Sequence, residues 1–415
     1  MLGSGHALSR AAVVLNSNAV VPVGTLKRAL DFAGLYGRND YLRHVQQIYR
    51  DLQDWLRQHQ PELYASCHYT CIEISPSLAQ RQQQRVAAAV VQQDGGSEAA
   101  WGPPSEEPCY IIMMEVLDNL AHDRVWRQRA GEPWQQTMVA TSEGGGSSSI
   151  IGSGGFASPP PQQHQLLQGG QEVARMEQQQ FFLGLEGRRC SVWRGQSFEE
   201  VLQPATDPLI LRCLDAFEQQ PASEASSGGG PAWTLPPLQR WLDALLVGDP
   251  EGEAVYLPTG CLQLLDTLHR VRPRHHLIAA DFDALPEVII PGQNAPLVAT
   301  TVGGQTTDHR TYLVPKGTAD IFFPTDFSLL ARLYQEAAQR AKRGPQHSLD
   351  GPKAGAGSSS AAQQARRAQH MKTADFMRRF AAGEAAMAQT QSGYNPLLED
   401  YTNTSVFLGE GSAAC

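Results

Sequence analysis

The stretch CYIIMMEVLDNLAHD, residues 109–123, points to the fold because it changes character abruptly after its sixth residue. An uninterrupted apolar run of this kind is typical of a strand that is buried on both faces of a parallel sheet. Ligands of open α/β sheets bind beyond the carboxyl ends of the strands. The polar residues after the run therefore lie where a binding site is expected; they are Glu115, Asp118, Asn119, His122 and Asp123.

Two interpretations of these polar residues are open. Glu115 and Asp118 are three positions apart, so a helical turn would place both carboxylates on one face, where they could hold a cationic group. His122 would then be a proton carrier near neutral pH. Alternatively, the acids mark an ordinary helix N-terminus, where the macrodipole favours negative charge, and His122 is simply exposed. The segment alone favours neither interpretation.

Upstream of this stretch the pattern alternates between helix and strand. Residues 40–60 carry apolar side chains at helical spacing, and Pro61 follows where that helix should end. Residues 68–74 are rich in aromatic and β-branched side chains, which favours a strand. Ser75 then stands in the N-cap position, with a proline next to it, and predicts a helix over residues 77–91.

Downstream the alternation continues and then gives way to clustered strands. The spacing predicts a helix over 257–271, strands over 275–282, 295–302, 310–314 and 320–325, and a helix over 326–340. Alternating helices and strands followed by late strands indicate an α/β fold, a doubly wound sheet with an antiparallel edge. Asp281 and Asp283, at the end of the strand over 275–282, are expected to be turn acids.

Composition and charge narrow the classes of function. The formal net charge of −9 argues against a general nucleic-acid binder, which normally presents a basic face. Since no apolar run approaches the roughly 18 residues that span a bilayer, no membrane span is predicted. Cys67 and Cys71 do not form a CxxC pair, and His275 and His276 lack a matching ligand pair, so no metal site is predicted either.

Tracts rich in glycine, serine, proline and glutamine are expected to lack structure, because they cannot bury enough apolar surface to offset ordering. They lie near residues 91–99, 142–171, 221–231 and 344–366. The first thirty residues contain no Asp or Glu, as in transit peptides; an irregular N-terminus is the alternative. We therefore divide the chain into a leader (1–30), a domain with insertions (31–340), and a linker and tail with a short helix (341–415).

Four blocks of the sequence, taken together, resemble a known family. HYTCIEISPSLAQRQ, IIMMEVLDNLAHD, LIAADFDALPEVIIPGQNAPLVATT and GTADIFFPTDF occur in this order over residues 40–335. They resemble the MidA-like family of S-adenosylmethionine-dependent methyltransferases, which includes the mitochondrial complex I assembly-factor arginine methyltransferase. IEISPSLAQRQ is similar to the family's acid-Ser-Pro-x-Leu-x-x-x-Gln signature, and EVLDNLAHD is similar to its Asn-Glu-x-x-Asp block.

The resemblance implies a class I methyltransferase (Rossmann-like) sheet with S-adenosyl-L-methionine as cofactor. It also implies symmetric dimethylation of arginine on a protein substrate, a complex I subunit, in mitochondria. By the same resemblance Glu73 would bind the cofactor ribose, with Ser75 and Glu115 as further cofactor-binding residues. Glu115, Asp118 and His122 would be the catalytic residues.

The chain departs from the family at the glycine-rich cofactor loop. GLYGRND, residues 34–40, stands in its place, so Gly34 and Gly37 are the candidates for cofactor binding. Bulky neighbours such as Leu35 would hinder close approach of the backbone to the cofactor. Three accounts fit: a degenerate loop that still binds, a truncated or misassembled N-terminus, or a chain that has lost catalysis. A nicotinamide-dependent oxidoreductase would instead require a GxGxxG motif, which the sequence lacks.

Overall fold

The structure of the protein is a computed structural model that describes part of the chain. The described residues are 11–16, 54, 56–66, 68–73, 90–92, 101, 103–143, 148–151, 180–183, 189–193, 196–219, 252–302, 305–343 and 368–411.

The described strands are, in chain order, β1 (Ala11–Asn16), β2 (His68–Glu73), β3 (Val90–Gln92), β4 (Cys109–Met114), β5 (Asp123–Arg127), β6 (Gln135–Glu143), β7 (Ser148–Ile151), β8 (Gln180–Leu183), β9 (Arg189–Trp193), β10 (Gln196–Pro204), β11 (Glu253–Leu257), β12 (His275–Phe282), β13 (Leu297–Val302), β14 (Gln305–Asp308), β15 (Asp320–Phe322), β16 (Ala368–Lys372) and β17 (Thr404–Glu410). The described helices are α1 (Pro61–Ser66), α2 (Pro208–Glu218), α3 (Thr259–Val271), α4 (Phe327–Arg343), α5 (Thr373–Phe380), α6 (Ala382–Met387) and α7 (Pro396–Glu399), and a 3₁₀ turn spans Leu117–Asn119.

The central sheet has seven strands in the order β3-β2-β1-β4-β12-β17-β16. β4 and β12 run parallel, with Cys109 opposite His275. β17 is antiparallel to both β12 and β16, so an antiparallel pair forms one edge. Read from β3 to β12, the order agrees with the 3-2-1-4-5 order of doubly wound sheets.

The direction of β1 departs from a doubly wound sheet. β1 runs antiparallel to β2 on one side and to β4 on the other. The α/β class is therefore confirmed, and the central sheet is a mixed one. Two further sheets accompany it: one in the order β11-β5-β6-β10-β9-β8, with β7 paired to β6, and a three-stranded sheet in the order β14-β13-β15.

β4 is buried on both faces because helices cover the central sheet from two sides. Ile111 and Met113 pack into a cluster with residues of α3 and α4, and Phe407 of β17 belongs to the same cluster. Tyr110 and Ile112 face the other way, into a cluster that includes residues of α5 and α7. Alternate side chains of one strand thus join two separate cores.

Several predicted elements are confirmed with small shifts of their ends. They are the strands β2, β4, β12, β13 and β15 and the helices α3 and α4. Asp326 opens α4 as predicted, since its carboxylate accepts a hydrogen bond from the Leu329 N–H at 2.9 Å. Of the helix predicted over 40–60, the structure describes residues 54 and 56–60; residues 54 and 56–59 are helical, and a new helix begins at Pro61.

Other predicted elements are wrong. Residues 310–314 form no strand, although β14 occupies the positions just before them. Of the helix predicted over 77–91, residues 77–89 lie outside the described residues, whereas Val90 and Val91 belong to β3, which pairs in parallel with β2. A valine pair fits either state locally, and pairing with a neighbouring strand decides between them.

Two segments carry more structure than their composition predicts. β7 lies within the tract at residues 142–171, and it pairs with β6 through Val139 and Ile151. Residues 368–411, assigned to the tail, contribute β16 and β17 to the central sheet. The sheet edge therefore comes from the C-terminal segment, whereas the late strands predicted for it form the separate three-stranded sheet. Among the residues described, no helix is both long and apolar enough to cross a bilayer.

A charged side chain joins the three helices on one face of the sheet. Arg212 of α2 donates two hydrogen bonds to Asp266 of α3, at 2.6 and 2.8 Å. It donates two more to Glu336 of α4, at 3.0 and 2.5 Å. The Arg212 side chain is 15% exposed, so these charge-assisted bonds form in a partly desolvated place.

We expect Arg212→Ala to lower the free energy of unfolding by about 2 kcal/mol, because it leaves two half-buried carboxylates without their shared partner. Urea denaturation of the full chain measures this. Arg378→Ala is the matched control, because Arg378 forms an exposed pair with Asp375 and its loss should cost about 0.5 kcal/mol or less. Equal losses in the two variants would contradict the role assigned to Arg212.

Candidate active site at the carboxyl edge of the central sheet

Strand directions bring several acidic residues to one edge of the central sheet. β1 is antiparallel to both β2 and β4, so β2 and β4 point the same way, as does β12. Ala11 lies opposite Glu73 and Ala12 lies opposite Met113, so β2 and β4 end nearly level across β1. The ends of these parallel strands form the edge where ligands of α/β sheets bind.

Glu115 emerges at this edge in an unusual backbone conformation. Its φ of 51° lies in the left-handed region, which costs a residue with a side chain about 1–2 kcal/mol. Its N–H donates a hydrogen bond to the carbonyl of Ala280 in β12, at 2.9 Å. Its side chain is partly exposed. A strained residue that tertiary contacts hold at a strand end is a candidate for a functional role.

Asp281 of β12 anchors the turn that follows Glu115. Its Oδ2 accepts hydrogen bonds from the backbone N–H groups of Leu117 and Asp118, at 2.7 and 3.2 Å. Its Oδ1 accepts from the N–H of Phe282 at 2.8 Å. Burial, followed by the charge of Asp118, raises the pKa of Asp281 well above its ordinary value. The sequence interpretation of Asp281 as a turn acid is wrong, since the side chain is buried and bridges two strand ends.

Asp118 does not reach the surface that Glu115 reaches. The residue is 2% exposed. One of its carboxylate oxygens accepts a hydrogen bond from the side-chain amide of Asn119 at 2.5 Å, and its carbonyl accepts one from the N–H of Phe323 at 2.8 Å. A substrate cation could meet this carboxylate only if the turn opened. Glu115 is therefore the better placed of the two predicted carboxylates.

The His122 ring is held by two contacts, and its pKa is shifted downward. Its ring stacks on Phe323 with centroids 3.9 Å apart and planes 8° apart. Burial lowers its pKa to about 4. Its Nδ1 lies 2.9 Å from the carbonyl of Leu120, which can only accept, so Nδ1 carries the proton and Nε2 is an acceptor.

The space beside His122 is too small for a substrate. A cavity of about 20 Å³ borders His122 and Leu117, with Asp326 at its other side. Sites that enclose small-molecule ligands hold about 300–1,000 Å³. His122 therefore acts, in this conformation, as a packing partner of the turn and of Phe323. Its predicted role as a proton carrier stays a prediction.

The cofactor-binding residues predicted from the sequence fall mostly outside the described part of the chain. Gly34, Gly37 and Ser75 lie outside the described residues. The backbone of Glu73 is described as the last residue of β2, at the same edge as Glu115. In the described part of the chain, no group of three or more His, Cys, Asp or Glu residues is placed to hold a metal ion.

A buried ion pair close to this edge was not foreseen. Arg124 of β5 and Glu200 of β10 lie 3.4 Å apart, with side chains that are 3% and 0% exposed. The Tyr312 hydroxyl also donates to Glu200, and Arg124 donates to the Thr137 hydroxyl at 2.9 Å. These contacts tie the second sheet to the segment before β15. No local pattern marks them, because the partners come from distant positions in the chain.

These features define an α/β protein whose parallel strands end in acidic residues at one ligand-binding edge. Over residues 47–346 the chain matches the family described as "Putative S-adenosyl-L-methionine-dependent methyltransferase". The match covers well over half of the chain, and the chain belongs to this family. S-adenosyl-L-methionine is accordingly the cofactor of the family.

Two solved structures from Burkholderia thailandensis are similar to the chain at 12% identity and a TM-score of 0.45. One is described as a "likely methyl transferase" bound to S-adenosyl-homocysteine. The similarity covers 94% of this chain and 76% of that one. The other is a native structure, of which 79% is covered. At these values the similarity supports no inference about ligand or reaction. A search of curated proteins finds no match.

The residues at the edge fit this cofactor in their chemistry. The cofactor carries ribose hydroxyls and an amino group, and carboxylates accept hydrogen bonds from both. Glu73 ends β2, where nucleotide-binding folds hold a ribose, and the partly exposed Glu115 follows β4.

Stability should fall as the pH drops below about 6.5. Burial lowers the pKa of His122 and His269 to about 4 and that of His275 to about 3. The folded-state pKa lies below the unfolded value, so the unfolded chain takes up these protons first as the pH falls. Stability is therefore complete above pH 6.5 and is lost progressively towards pH 4.

The His122→Gln variant isolates one of these contributions. Between pH 7 and pH 5, it should lose roughly 1–2 kcal/mol less unfolding free energy than the wild type, as measured by urea denaturation. His59→Gln serves as the control, because His59 is an exposed histidine outside the site. The same pH dependence in His122→Gln and the wild type would contradict the lowered pKa of His122.

Proposed function

We propose that this chain transfers a methyl group from S-adenosyl-L-methionine to an arginine nitrogen of a protein substrate. Family membership supports the cofactor and the reaction class. The observation that carries the proposal is Glu115, a partly exposed carboxylate held in a left-handed conformation at the ligand-binding edge. The strain at this residue indicates that its position matters to the site.

Methyl transfer requires the protein mainly to position the substrate nitrogen and the cofactor. The cofactor supplies an electrophilic methyl group on its sulfonium. The substrate nitrogen would form a bond to this methyl as the sulfur–carbon bond breaks with its electrons left on sulfur, and the proton that the nitrogen loses would pass to solvent. A guanidinium is protonated at rest and has donors only, so a carboxylate such as Glu115 would accept from it and orient one nitrogen. In-line placement supplies most of the rate.

The finer features of the proposal rest on the motif resemblance. IEISPSLAQRQ and EVLDNLAHD are similar to the signature blocks of the MidA-like family. This supports symmetric dimethylarginine as the product and a complex I subunit as the substrate. It also supports mitochondria as the location, together with the acid-free first thirty residues.

A second candidate is a methyltransferase-fold protein that binds partners without catalysis. The direction of β1 favours this candidate. Because β1 is antiparallel to β2, it begins at the edge beside Glu73 instead of ending there. A parallel strand would end there and lead into a cofactor loop. The replacement of the glycine-rich loop by GLYGRND points the same way.

Calorimetric titration of the full chain with S-adenosyl-L-methionine separates the two candidates. The methyltransferase proposal predicts saturable binding, followed by methylarginine in a protein substrate detected by mass spectrometry. No binding at millimolar cofactor would overturn it in favour of the second candidate. Glu73→Ala should weaken cofactor binding by about tenfold, the value of one or two charge-assisted hydrogen bonds.

Glu115→Gln tests the residue that carries the proposal. The substitution keeps the size of the side chain and removes its charge, so methyl transfer should fall by about 100-fold while the affinity for cofactor changes much less. Initial rates with a radiolabelled methyl donor measure the first effect, and calorimetry measures the second. Glu132→Gln, on an exposed turn, is the matched control and should match the wild type. Wild-type rates in Glu115→Gln would refute the assigned role.

A further inference from the structure

We propose that Asp281 is a positioning residue that holds Glu115 at the methyl-transfer site through the turn over residues 115–118. This inference rests on the proposed function. Asp281 touches neither cofactor nor substrate in it, since the residue is 1% exposed. Its effect is transmitted through backbone N–H groups.

The turn after β4 is tethered to β12 at both ends. The N–H of Glu115 donates to the carbonyl of Ala280, at 2.9 Å. The next residue of β12, Asp281, accepts from the N–H groups of Leu117 and Asp118 through one carboxylate oxygen. Residues 115–118 are thus bonded to two consecutive residues of the parallel neighbour strand. A turn fixed at both ends can keep a conformation that it would otherwise leave.

Glu115 needs such a restraint because of its backbone. A glutamate with a φ of 51° relaxes towards negative φ unless its surroundings prevent it. Relaxation would swing the side chain away from its present direction, and a displacement of about 1 Å at a reacting centre can cost about 100-fold in rate. The bonds from the Leu117 and Asp118 N–H groups to Asp281 oppose this rotation by holding the far end of the turn.

A carboxylate suits the position because both of its oxygens accept. One serves the turn and the other accepts from the N–H of Phe282 at 2.8 Å. An asparagine has one acceptor oxygen, and its NH₂ group would face either the turn or Phe282 as a second donor. Asp281→Asn therefore disturbs these bonds with almost no change in volume.

Asp283 offers a control on the same strand end. It lies two residues beyond Asp281 and is also largely buried. Its carboxylate pairs with Lys372 at 2.6 Å and accepts from the Ser405 hydroxyl. Both partners belong to the C-terminal segment and not to the turn. Asp283→Asn should therefore disturb the same region of the sheet without acting on Glu115.

The test is a double-mutant cycle with Glu115→Gln on the full chain. Asp281→Asn alone should lower kcat by about tenfold or more, with a much smaller change in KM for the cofactor. In the Glu115→Gln background the same change should lower kcat by less than about twofold, because the carboxylate to be positioned is gone. Asp283→Asn should change kcat by the same factor in the wild-type and Glu115→Gln backgrounds.

Amide hydrogen exchange gives a readout that does not depend on activity. Asp281→Asn should speed exchange at Leu117 and Asp118 by about tenfold or more, and Asp283→Asn should leave these amides unchanged. Unchanged exchange at both amides would overturn the proposal. An equal loss of kcat from Asp281→Asn in the wild-type and Glu115→Gln backgrounds would also overturn it. If the wild type transfers no methyl group, the proposed function fails by itself; the exchange result then decides whether Asp281 holds the turn.

A second variant covers the case in which Asp281→Asn folds poorly. Glu115→Gly removes the steric penalty of a positive φ. If the turn is held under strain, adding Glu115→Gly to Asp281→Asn should raise the thermal midpoint of the double variant above that of Asp281→Asn alone. No rise would overturn the strain argument.

Discussion

The burial of β4 on both faces is the constraint on which the rest of the structure depends. Cys109, Ile111 and Met113 are each 1% exposed or less, and the intervening Tyr110 and Ile112 are buried on the opposite face. A strand without a polar face must lie inside the sheet, with a layer of helices on each side. This requirement places β4 next to β12 and explains why two separate hydrophobic clusters meet along one strand. It also determines where the chain leaves the core.

Where the chain leaves the buried strand β4, its backbone N–H groups need hydrogen-bond acceptors. The bonds that they form determine the geometry of the candidate site. Backbone N–H groups beyond β4 remain far from water and need acceptors. Ala280 and Asp281 of β12 provide them, and in doing so they hold Glu115 in a conformation that it would not adopt alone. The same tethering buries Asp118 and stacks His122 on Phe323. Packing at the end of β4 thus leaves Glu115 partly exposed and makes Asp118 and His122 structural partners.

Much of the fold could be predicted because its elements carry local patterns. The apolar run of β4 and the amphipathic spacing of α3 and α4 are visible in the residues themselves. β3 could not be distinguished from the end of a helix, since alanines and valines are compatible with both states until a partner strand is present. β16 and β17 follow a low-complexity tract, and composition there gave no sign that the chain returns to the central sheet.

At the candidate site, too, some features follow from the sequence and others only from the tertiary structure. The sequence by itself determined that a buried strand ends in acidic residues, that Glu115 stands first among them, and which family the motifs resemble. Only the tertiary structure decided that Asp118 is buried, that the pKa of His122 is lowered, and that Asp281 accepts hydrogen bonds from the turn. The physical reason is distance along the chain. Burial, pKa and hydrogen bonding at these positions depend on Asp281 of β12 and on Phe323, just after β15, which are remote in sequence, and only folding brings them within contact.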